Sequence, residues 1–229
     1  MNRQLLTGQT YGLSAGAEPA WRGEHAAGVA GCALFSTGAV ELSVGSEDEL
    51  PALLACLADV RFLAALDRFE AVSLHGPMKR LSGDWDVLAC RLRAIPLRPI
   101  RGIVFHPDTL DEAALAALRP LGARLWLENM DVRKADARNA DELERFFDAC
   151  PKARFVLDVA HVWCLDPSLA LGHELLDAYA DRLVEVHLSG INPNGTHRPT
   201  TPADVEVYRP LLERCGQVPW IFETALASA

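Results

Sequence analysis

The sequence has no long hydrophobic run, no paired cysteines and no excess of positive charge. No stretch of about 18 apolar residues occurs, so the sequence predicts no membrane-spanning helix. The N-terminal segment MNRQLLTGQT also lacks the apolar run of a signal peptide. The six cysteines are scattered, without a CxxC pair or a disulfide-like framework. We therefore expect a cytoplasmic protein whose cysteines are reduced.

Charge argues against one class of partner. The chain has 31 acidic and 22 basic residues, which gives a formal net charge of −9 at pH 7. A surface of this sign repels phosphate backbones, so we do not expect a nucleic-acid partner. A cluster of metal ions can override the net charge locally, and the charge therefore weakens a nucleic-acid function without excluding it.

The order of hydrophobic segments indicates the fold. No low-complexity segment, charge block or linker divides the 229 residues, and we expect a single domain over 1–229. Short apolar runs alternate with longer amphipathic ones, as in βα units around a parallel sheet. Eight strand candidates read LLTGQTYGL, AVELSV, EAVSLH, GIVFH, RLWLE, RFVLD, LVEVH and WIFE. The sequence thus predicts an α/β protein, a compact (β/α)8 TIM barrel with short loops, because such barrels typically take about 250 residues.

Helix boundaries are predicted from capping residues. Five residues each precede an amphipathic run and can cap its first turn: Ser46, Thr109, Asn139, Asp166 and Thr201. Only six residues follow Glu223, so we expect the last helix to be reduced or missing. The seam between the eighth and first strands would then be thinly covered, and a homodimer is one way to cover it.

Six consecutive strand candidates end in a side chain that can bind a metal ion. They are separated by 31, 22, 30, 29 and 36 residues, close to the length of one βα unit: His75, His106, Glu128, Asp158, His187 and Glu223. Residues at the same end of successive barrel strands converge around one axis, where the active sites of such barrels lie. Imidazole and carboxylate ligands together suit a divalent zinc, manganese, iron or cobalt ion.

Single residues of these types carry little weight alone, because most histidines are hydrogen-bonded residues and not ligands. His25 and His173 lie outside the pattern, and we do not expect them to bind metal. Glu185 points to the same side of its strand as His187, and we expect it to pair with an interior arginine such as Arg154. Glu41 either lines the barrel mouth or braces a loop.

Six short segments in this chain resemble the xylose-isomerase-like barrel superfamily. They occur in order between residues 71 and 224, two thirds of the chain: SLHGP, IVFHPD, LENM, VLDVAH, EVHLSG and IFET. That superfamily includes sugar isomerases and epimerases as well as the endonuclease IV group, AP endonuclease family 2. The resemblance implies a metal-dependent enzyme with a small-molecule substrate, a sugar or sugar phosphate.

Each branch of the superfamily implies a different use of these residues. In the sugar epimerases four ligands hold one metal ion, and they match Glu128, Asp158, His187 and Glu223. The two glutamates would exchange a proton with the substrate. The histidine that matches His161 contacts substrate in that branch, and we expect His197 and Arg198, which follow strand seven, to do the same.

The endonuclease IV branch implies up to three ions. The second would be held by His75 and His106, and the third by His161 and His197. That branch has an aspartate at the position of Gly195, so the resemblance leaves the third ion without its carboxylate ligand. The loops that enter duplex DNA are also too short here. The segment THRP is similar to the strand-seven loop of multinuclear iron oxidases that modify peptides, which stays an alternative, as does a barrel that binds metal without catalysis.

Overall fold

Eight parallel strands form a closed barrel in the computed structural model, which describes residues 8–21, 24–79 and 81–226. Each strand pairs with its neighbours in the chain, and the last pairs with the first through Gly12 and Ile221. This confirms the predicted TIM barrel. The barrel strands are β1 (Tyr11–Ser14), β2 (Ala39–Ser43), β3 (Ala71–His75), β4 (Ile100–Phe105), β5 (Leu125–Glu128), β6 (Arg154–Asp158), β7 (Leu183–Leu188) and β10 (Trp220–Phe222).

Each of the eight strand candidates overlaps a barrel strand. The first candidate is shorter than predicted, because the strand begins at Tyr11, and its residues 5–7 lie outside the described part of the chain. Gly12 interrupts the hydrophobic pattern for a steric reason. A Cβ atom at this position would lie 1.9 Å from the carbonyl oxygen of Ala39 on the neighbouring strand. The absence of a side chain therefore lets β1 and β2 pair.

Helices cover the outside of the barrel. They are α1 (His25–Cys32), α2 (Leu50–Leu57), α3 (Val60–Leu66), α4 (Trp85–Arg93), α5 (Glu112–Leu118), α6 (Ala140–Ala149), α7 (Val159–Leu165), α8 (Ala170–Tyr179) and α9 (Pro202–Leu212). Within the described residues no helix follows β10, as predicted. None of the described helices is long and apolar enough to cross a membrane.

The predicted helix caps are right in two cases. Asn139 accepts a hydrogen bond from the Glu142 amide at the start of α6, and Thr201 forms a reciprocal capping box with Asp204 at the start of α9. Both side chains thus satisfy amide groups that the first helical turn leaves free.

Two predicted caps are wrong. Ser46 makes no capping hydrogen bond. Asp111 caps α5, while the Thr109 hydroxyl donates to the His106 carbonyl in the preceding turn. Asp166 is not the N-cap residue of α8, which begins at Ala170 after Leu169 in a left-handed conformation. It nevertheless accepts a hydrogen bond from the Leu171 amide in the first turn of α8, as well as one from the Ser168 amide.

A two-stranded antiparallel ribbon follows β7 and brings two further residues towards the barrel mouth. Its strands are β8 (Gly190–Ile191) and β9 (His197–Arg198). Gly195 turns the chain between them with a φ of +79°, which glycine adopts without strain. His197 is therefore placed by a hairpin and not by a barrel strand.

The barrel interior is divided into layers. Each of the six strand-end residues is preceded, two positions earlier in the sequence, by another inward-facing residue. We call these six residues the floor layer: Ser73, Val104, Trp126, Val156, Glu185 and Ile221. Their exposure ranges from 0% to 5%. Trp126 packs against Val104 and Val156, and its ring covers Gly102, where a Cβ atom would lie 1.8 Å from the indole. The floor layer thus closes the barrel beneath the strand ends.

Candidate metal centre

The barrel strands bring the six sequence-predicted ligands to one end of the barrel. His75, Glu128 and Asp158 are the last residues of their strands, and His106 and Glu223 directly follow theirs. His187 is the penultimate residue of β7. Inward and outward side chains alternate along a strand. The strand residues next to these six in the sequence therefore point outwards and pack against the helices.

Glu128 lies at the centre of this cluster and is fully buried. Its Oε2 atom is 3.5 Å from Nε2 of His75 and 3.4 Å from Nε2 of His106. The same oxygen is 3.6 Å from Nδ1 of His187, and Oε1 is 3.4 Å from Nδ1 of His161. One carboxylate therefore faces four imidazole rings from four different segments.

Glu223 and Asp158 complete the cluster. Nδ1 of His187 lies 3.4 Å from Oε1 of Glu223. Candidate ligand atoms lie within 4.8 Å of one another in several groups, among them one that joins His75, Glu128, His187 and Glu223. Asp158 shares such a group with Glu128 and another with Glu223. Three of the four residues expected to hold one ion thus share a group, and Asp158 lies next to two of them without sharing a group with His187.

Local hydrogen bonds orient the rings. Nδ1 of His75 lies 3.1 Å from the Gly76 carbonyl oxygen, so it carries the proton and leaves Nε2 for a ligand. The Asp158 side chain caps α7, where Oδ1 accepts a hydrogen bond of 2.7 Å from the His161 amide. This cap explains the spacing of three residues between Asp158 and His161, and it leaves Oδ2 directed at the cluster.

The donor atoms fit a divalent metal ion. Several buried atoms lack a hydrogen-bond partner among the described residues, including both carboxylate oxygens of Glu128, Oδ2 of Asp158, Nδ1 of His187 and Oε2 of Glu223. Buried polar atoms without partners are costly. Carboxylate oxygens and imidazole nitrogens are the ligands that zinc and manganese take in proteins, so a bound ion would satisfy these atoms.

The charged groups of the cluster shift one another's pKa values. Burial opposes ionisation of Glu128, but the neighbouring His187 and His106 outweigh it and hold the pKa of Glu128 well below its usual value. Burial raises the pKa of Asp158, and the negative charges of Glu223 and Glu128 raise it further.

The pKa values of His75 and His187 are raised, although burial alone would lower them. Burial lowers the pKa of His75, yet Glu128 and Glu41 overcome this and raise it to about 9. Glu41 and Glu128 likewise raise the pKa of His187 well above its usual value, against the effect of burial. A metal ion bound at these rings would therefore compete with protons.

A carboxylate that sequence reasoning missed lies beside the two remaining histidines. Asp131 follows β5, and its Oδ2 atom is 3.6 Å from Nε2 of His161. Nε2 of His161 is in turn 3.1 Å from Nε2 of His197. Asp131 also forms an ion pair with Arg133. Its only signal in the sequence is its position three residues after Glu128.

Arg133 also explains why Gly195 stands where one branch of the superfamily has an aspartate. A Cβ atom at Gly195 would lie 2.9 Å from the Arg133 side chain. The space beside His197 that a side chain at position 195 would take is therefore filled by this arginine. The carboxylate near His161 and His197 comes from Asp131 on a different segment.

Glu185 has different partners from those expected. It accepts hydrogen bonds from the Ser73 hydroxyl, at 3.1 and 2.9 Å, and lies 3.1 Å from Nε2 of His187. Arg154 instead donates to the Asp181 carbonyl near the surface. The expected Glu185–Arg154 pair is wrong, because Arg154 lies at the start of β6 and its long side chain reaches the protein surface.

The centre opens into a cavity of about 550 Å³. His75, His106, His161, His197 and Glu223 line it, with Lys79 and Arg133. Arg198, expected to contact substrate, points elsewhere. Its guanidinium binds the Asp204 carboxylate at 2.6 and 2.8 Å and the Pro199 carbonyl. Asp204, at the N-terminus of α9, holds Arg198 in this position. Among the described residues, Arg133 is the arginine that lines the cavity.

Comparisons with solved structures place this fold. A D-tagatose 3-epimerase-like protein superposes with a TM-score of 0.67 at 15% sequence identity, over 96% of this chain and 92% of that chain. The shared fold is a closed barrel of eight parallel strands. A D-psicose 3-epimerase crystallised in the presence of D-fructose gives 0.61 at 13% identity, over 96% and 86% of the two chains.

A D-psicose 3-epimerase from Clostridium cellulolyticum H10, with D-tagatose, gives a TM-score of 0.53 at 14% identity over the same shares. The sequence matches no protein-family model. It matches no curated protein either. At these identities the structural similarity shows a shared fold, and the chemistry must be argued from the residues at the barrel mouth.

Proposed function

We propose that this protein is a divalent-metal-dependent isomerase or epimerase of a sugar or sugar phosphate. The main observation in its favour is the group of Glu128, His187 and Glu223, whose ligand atoms converge with that of His75, while Asp158 lies beside Glu128 and Glu223. Each of Glu128, Asp158, His187 and Glu223 has a buried ligand atom without a hydrogen-bond partner among the described residues. The fold shared with proteins named as D-tagatose and D-psicose 3-epimerases agrees with this choice.

Two carboxylates of the centre are suited to move a proton. Glu128 on β5 and Glu223 after β10 come from different sides of the barrel, and their oxygens lie within 4.8 Å of each other. A divalent ion held by the four residues would polarise a carbonyl and the neighbouring hydroxyl of the substrate. One glutamate removes the proton between these groups and the other returns it, each with the carboxylate oxygen that does not bind the ion.

Other residues of the cavity bind and orient the substrate. His161 and His197 lie beside the two glutamates and present ring nitrogens to the cavity. A volume of about 550 Å³ is in the usual range for a small-molecule site. We infer that these histidines hydrogen-bond sugar hydroxyl groups, which fixes the carbon that reacts.

Solvent hydrogen exchange tests this function directly. The protein is loaded with manganese, cobalt or zinc and incubated in deuterated water with ketoses, aldoses and their phosphates. We expect metal-dependent incorporation of deuterium at one carbon next to the carbonyl, observed by NMR. Lack of exchange with every sugar, together with metal-dependent cleavage of a phosphodiester, would overturn the proposal.

Hydrolysis of a phosphoester by several metal ions is the second candidate. The observation that favours it is Asp131, which gives His161 and His197 the carboxylate that position 195 lacks. His75 and His106 both face Oε2 of Glu128, as ligands of a bridged pair of ions do. Metal analysis separates the candidates, since one ion per chain supports the epimerase and two or three support a phosphoesterase or a multinuclear oxidase.

The remaining expectations stay predictions. They are a single domain over 1–229, a cytoplasmic location, a possible homodimer and weak binding to nucleic acid. Size measurement in solution and a binding assay with abasic duplex DNA at about 150 mM salt test the last two.

A further inference from the structure

A second polar cluster lies beneath His187, inside the barrel. Glu41 on β2, Ser73 on β3 and Glu185 on β7 face the barrel axis, with exposures of 0%, 0% and 2%. Nε2 of His187 is 3.2 Å from Oε2 of Glu41 and 3.1 Å from Oε1 of Glu185. One imidazole nitrogen therefore faces two buried carboxylates.

These carboxylates have few other partners. Ser73 donates its hydroxyl to Glu185, which holds that carboxylate in place. Neither oxygen of Glu41 has a hydrogen-bond partner among the described residues, although the side chain is fully buried. Buried carboxylates without a lysine or arginine are costly, and in the described part of the chain His187 is the one basic side chain that pairs with either.

The two ring nitrogens of His187 thus face different environments. Nε2 points down to Glu41 and Glu185, which can only accept hydrogen bonds when ionised. Nδ1 points up to Glu128 and Glu223, at 3.6 and 3.4 Å. A neutral imidazole carries its proton on one nitrogen. The carboxylates below the ring are closer to it than those above, and Nε2 is the nitrogen that forms a hydrogen bond, with Glu185, which favours the tautomer with the proton on Nε2.

We propose that Glu41 and Glu185 are positioning residues that hold the Nε2 proton of His187 and so present its Nδ1 lone pair to the metal centre. This inference rests on the metal centre of the proposed function. Glu185 forms the hydrogen bond with Nε2, and Oε2 of Glu41 lies 3.2 Å from the same nitrogen as a second negative charge. Outer partners of this kind commonly change metal affinity by roughly 10- to 100-fold.

Metal affinity is the measurement that tests the inference. Glu185→Gln and Glu41→Gln are made in the full-length protein, and zinc or cobalt affinity is determined by competition with a chelator. We expect each substitution to weaken affinity by roughly 10- to 100-fold. Glu47→Gln is the matched control, because Glu47 is also a buried carboxylate but binds Ser82 and Arg91 away from the centre.

A double-substitution cycle separates positioning from a general effect on folding. In a His187→Ala background, Glu185→Gln should change metal affinity no further, because the ring it orients is gone. Nitrogen-15 NMR of labelled histidine in the zinc-loaded protein should show His187 protonated at Nε2, and a mixture of tautomers in Glu185→Gln.

Affinity that is unchanged in both glutamine variants, or an equal loss in the His187→Ala background, overturns the inference. So does an ion bound between Glu41, Glu185 and Nε2. Failure of the proposed function looks different. In that case the wild-type protein binds metal tightly and the two variants bind it weakly, but no sugar exchanges hydrogen with the solvent.

Discussion

The Nε2 atoms of His161 and His197 face each other at 3.1 Å, although one residue belongs to α7 and the other to the ribbon strand β9. His161 uses Nδ1 to contact the Asn129 carbonyl at 2.9 Å, so its Nε2 atom presents a lone pair. Two nitrogens at this distance share a proton, a substrate hydroxyl or a metal ion. Asp131 lies beside them. Whether these three residues bind a metal ion can be tested by counting the ions bound per chain.

If the protein is an epimerase that binds one metal ion per chain, Asp131→Ala should leave the metal content unchanged. In that function His161 and His197 bind substrate, and loss of Asp131 frees Arg133 and raises KM. Elemental analysis of the purified variant and wild-type proteins provides the measurement. A loss of one ion per chain in Asp131→Ala would contradict this expectation and favour the phosphoesterase.

Replacing Asp158 should remove metal from the centre. Asp158→Ala deletes a carboxylate oxygen that has no hydrogen-bond partner among the described residues, and we expect affinity to fall at least about tenfold, as for outer-partner losses. Asp166→Ala is the control, because Asp166 also accepts hydrogen bonds from backbone amides in a loop before a helix but lies outside the cluster. Equal metal affinity in the two variants would argue against Asp158 as a ligand.

Glutamine at position 128 or 223 should uncouple binding from turnover. The amide keeps the shape and one ligand oxygen of the side chain but cannot accept the substrate proton. We expect Glu128→Gln and Glu223→Gln to lose turnover by roughly 10² to 10⁴. Measured kcat with the best sugar substrate is compared with that of Glu142→Gln, which disrupts a surface pair with Arg138. Full activity in either active-site variant would exclude that glutamate as a base.

Metal should reverse the effect of pH on stability. Without metal, the pKa of His75 is about 9 in the folded protein, above about 6.5 in the unfolded chain. Its favourable contribution is therefore complete below about pH 6.5 and is lost as pH rises through 9. With metal, deprotonated histidine is the ligand, so affinity and stability rise over the same range.

Thermal unfolding at pH 6.5, 7.5 and 9, with a chelator or with saturating zinc, measures this difference. We expect Tm to fall with pH in the chelator and to rise with zinc. Parallel pH profiles in the two conditions would mean that protons and metal do not compete at these rings.

Gly102 should be required for stability. Gly102→Ala inserts a methyl group where the Trp126 indole packs, 1.8 Å from the new atom. Overpacking of a core costs about 1–3 kcal/mol or more, so the free energy of unfolding should fall by at least this amount. Gly45→Ala, whose nearest neighbour would be 3.6 Å away, should change it little. A stability unchanged by Gly102→Ala would mean that the indole can leave the floor layer.

The barrel and the positions of its strand-end side chains follow from local patterns. Each βα unit repeats the same order of apolar strand, polar end and amphipathic helix, and closure then brings His75, Glu128 and His187 together. Asp131 could not be foreseen in the same way, because it lies in a loop after β5 whose path depends on the ion pair with Arg133. Thr109 failed as a helix cap because it belongs to the short turn Pro107–Thr109, and α5 begins only after Asp111.

The partners of Glu185 inside the barrel could not be predicted from the sequence either. Ser73 and Glu185 are 112 residues apart in the chain, and their hydrogen bond depends on how the two strands align across the barrel. Alternation along a strand predicts that Glu185 faces inwards. It does not predict which inward residue from another strand lies opposite, and the stagger of a barrel decides that.

The floor layer has a kinetic consequence. Its six side chains are almost completely excluded from solvent, so they separate the strand-end centre from the opposite mouth of the barrel. Among the described residues, the cavity above this layer is the opening that reaches the centre. If the proposed function is right, substrate and product use the same opening, and the product should act as a competitive inhibitor.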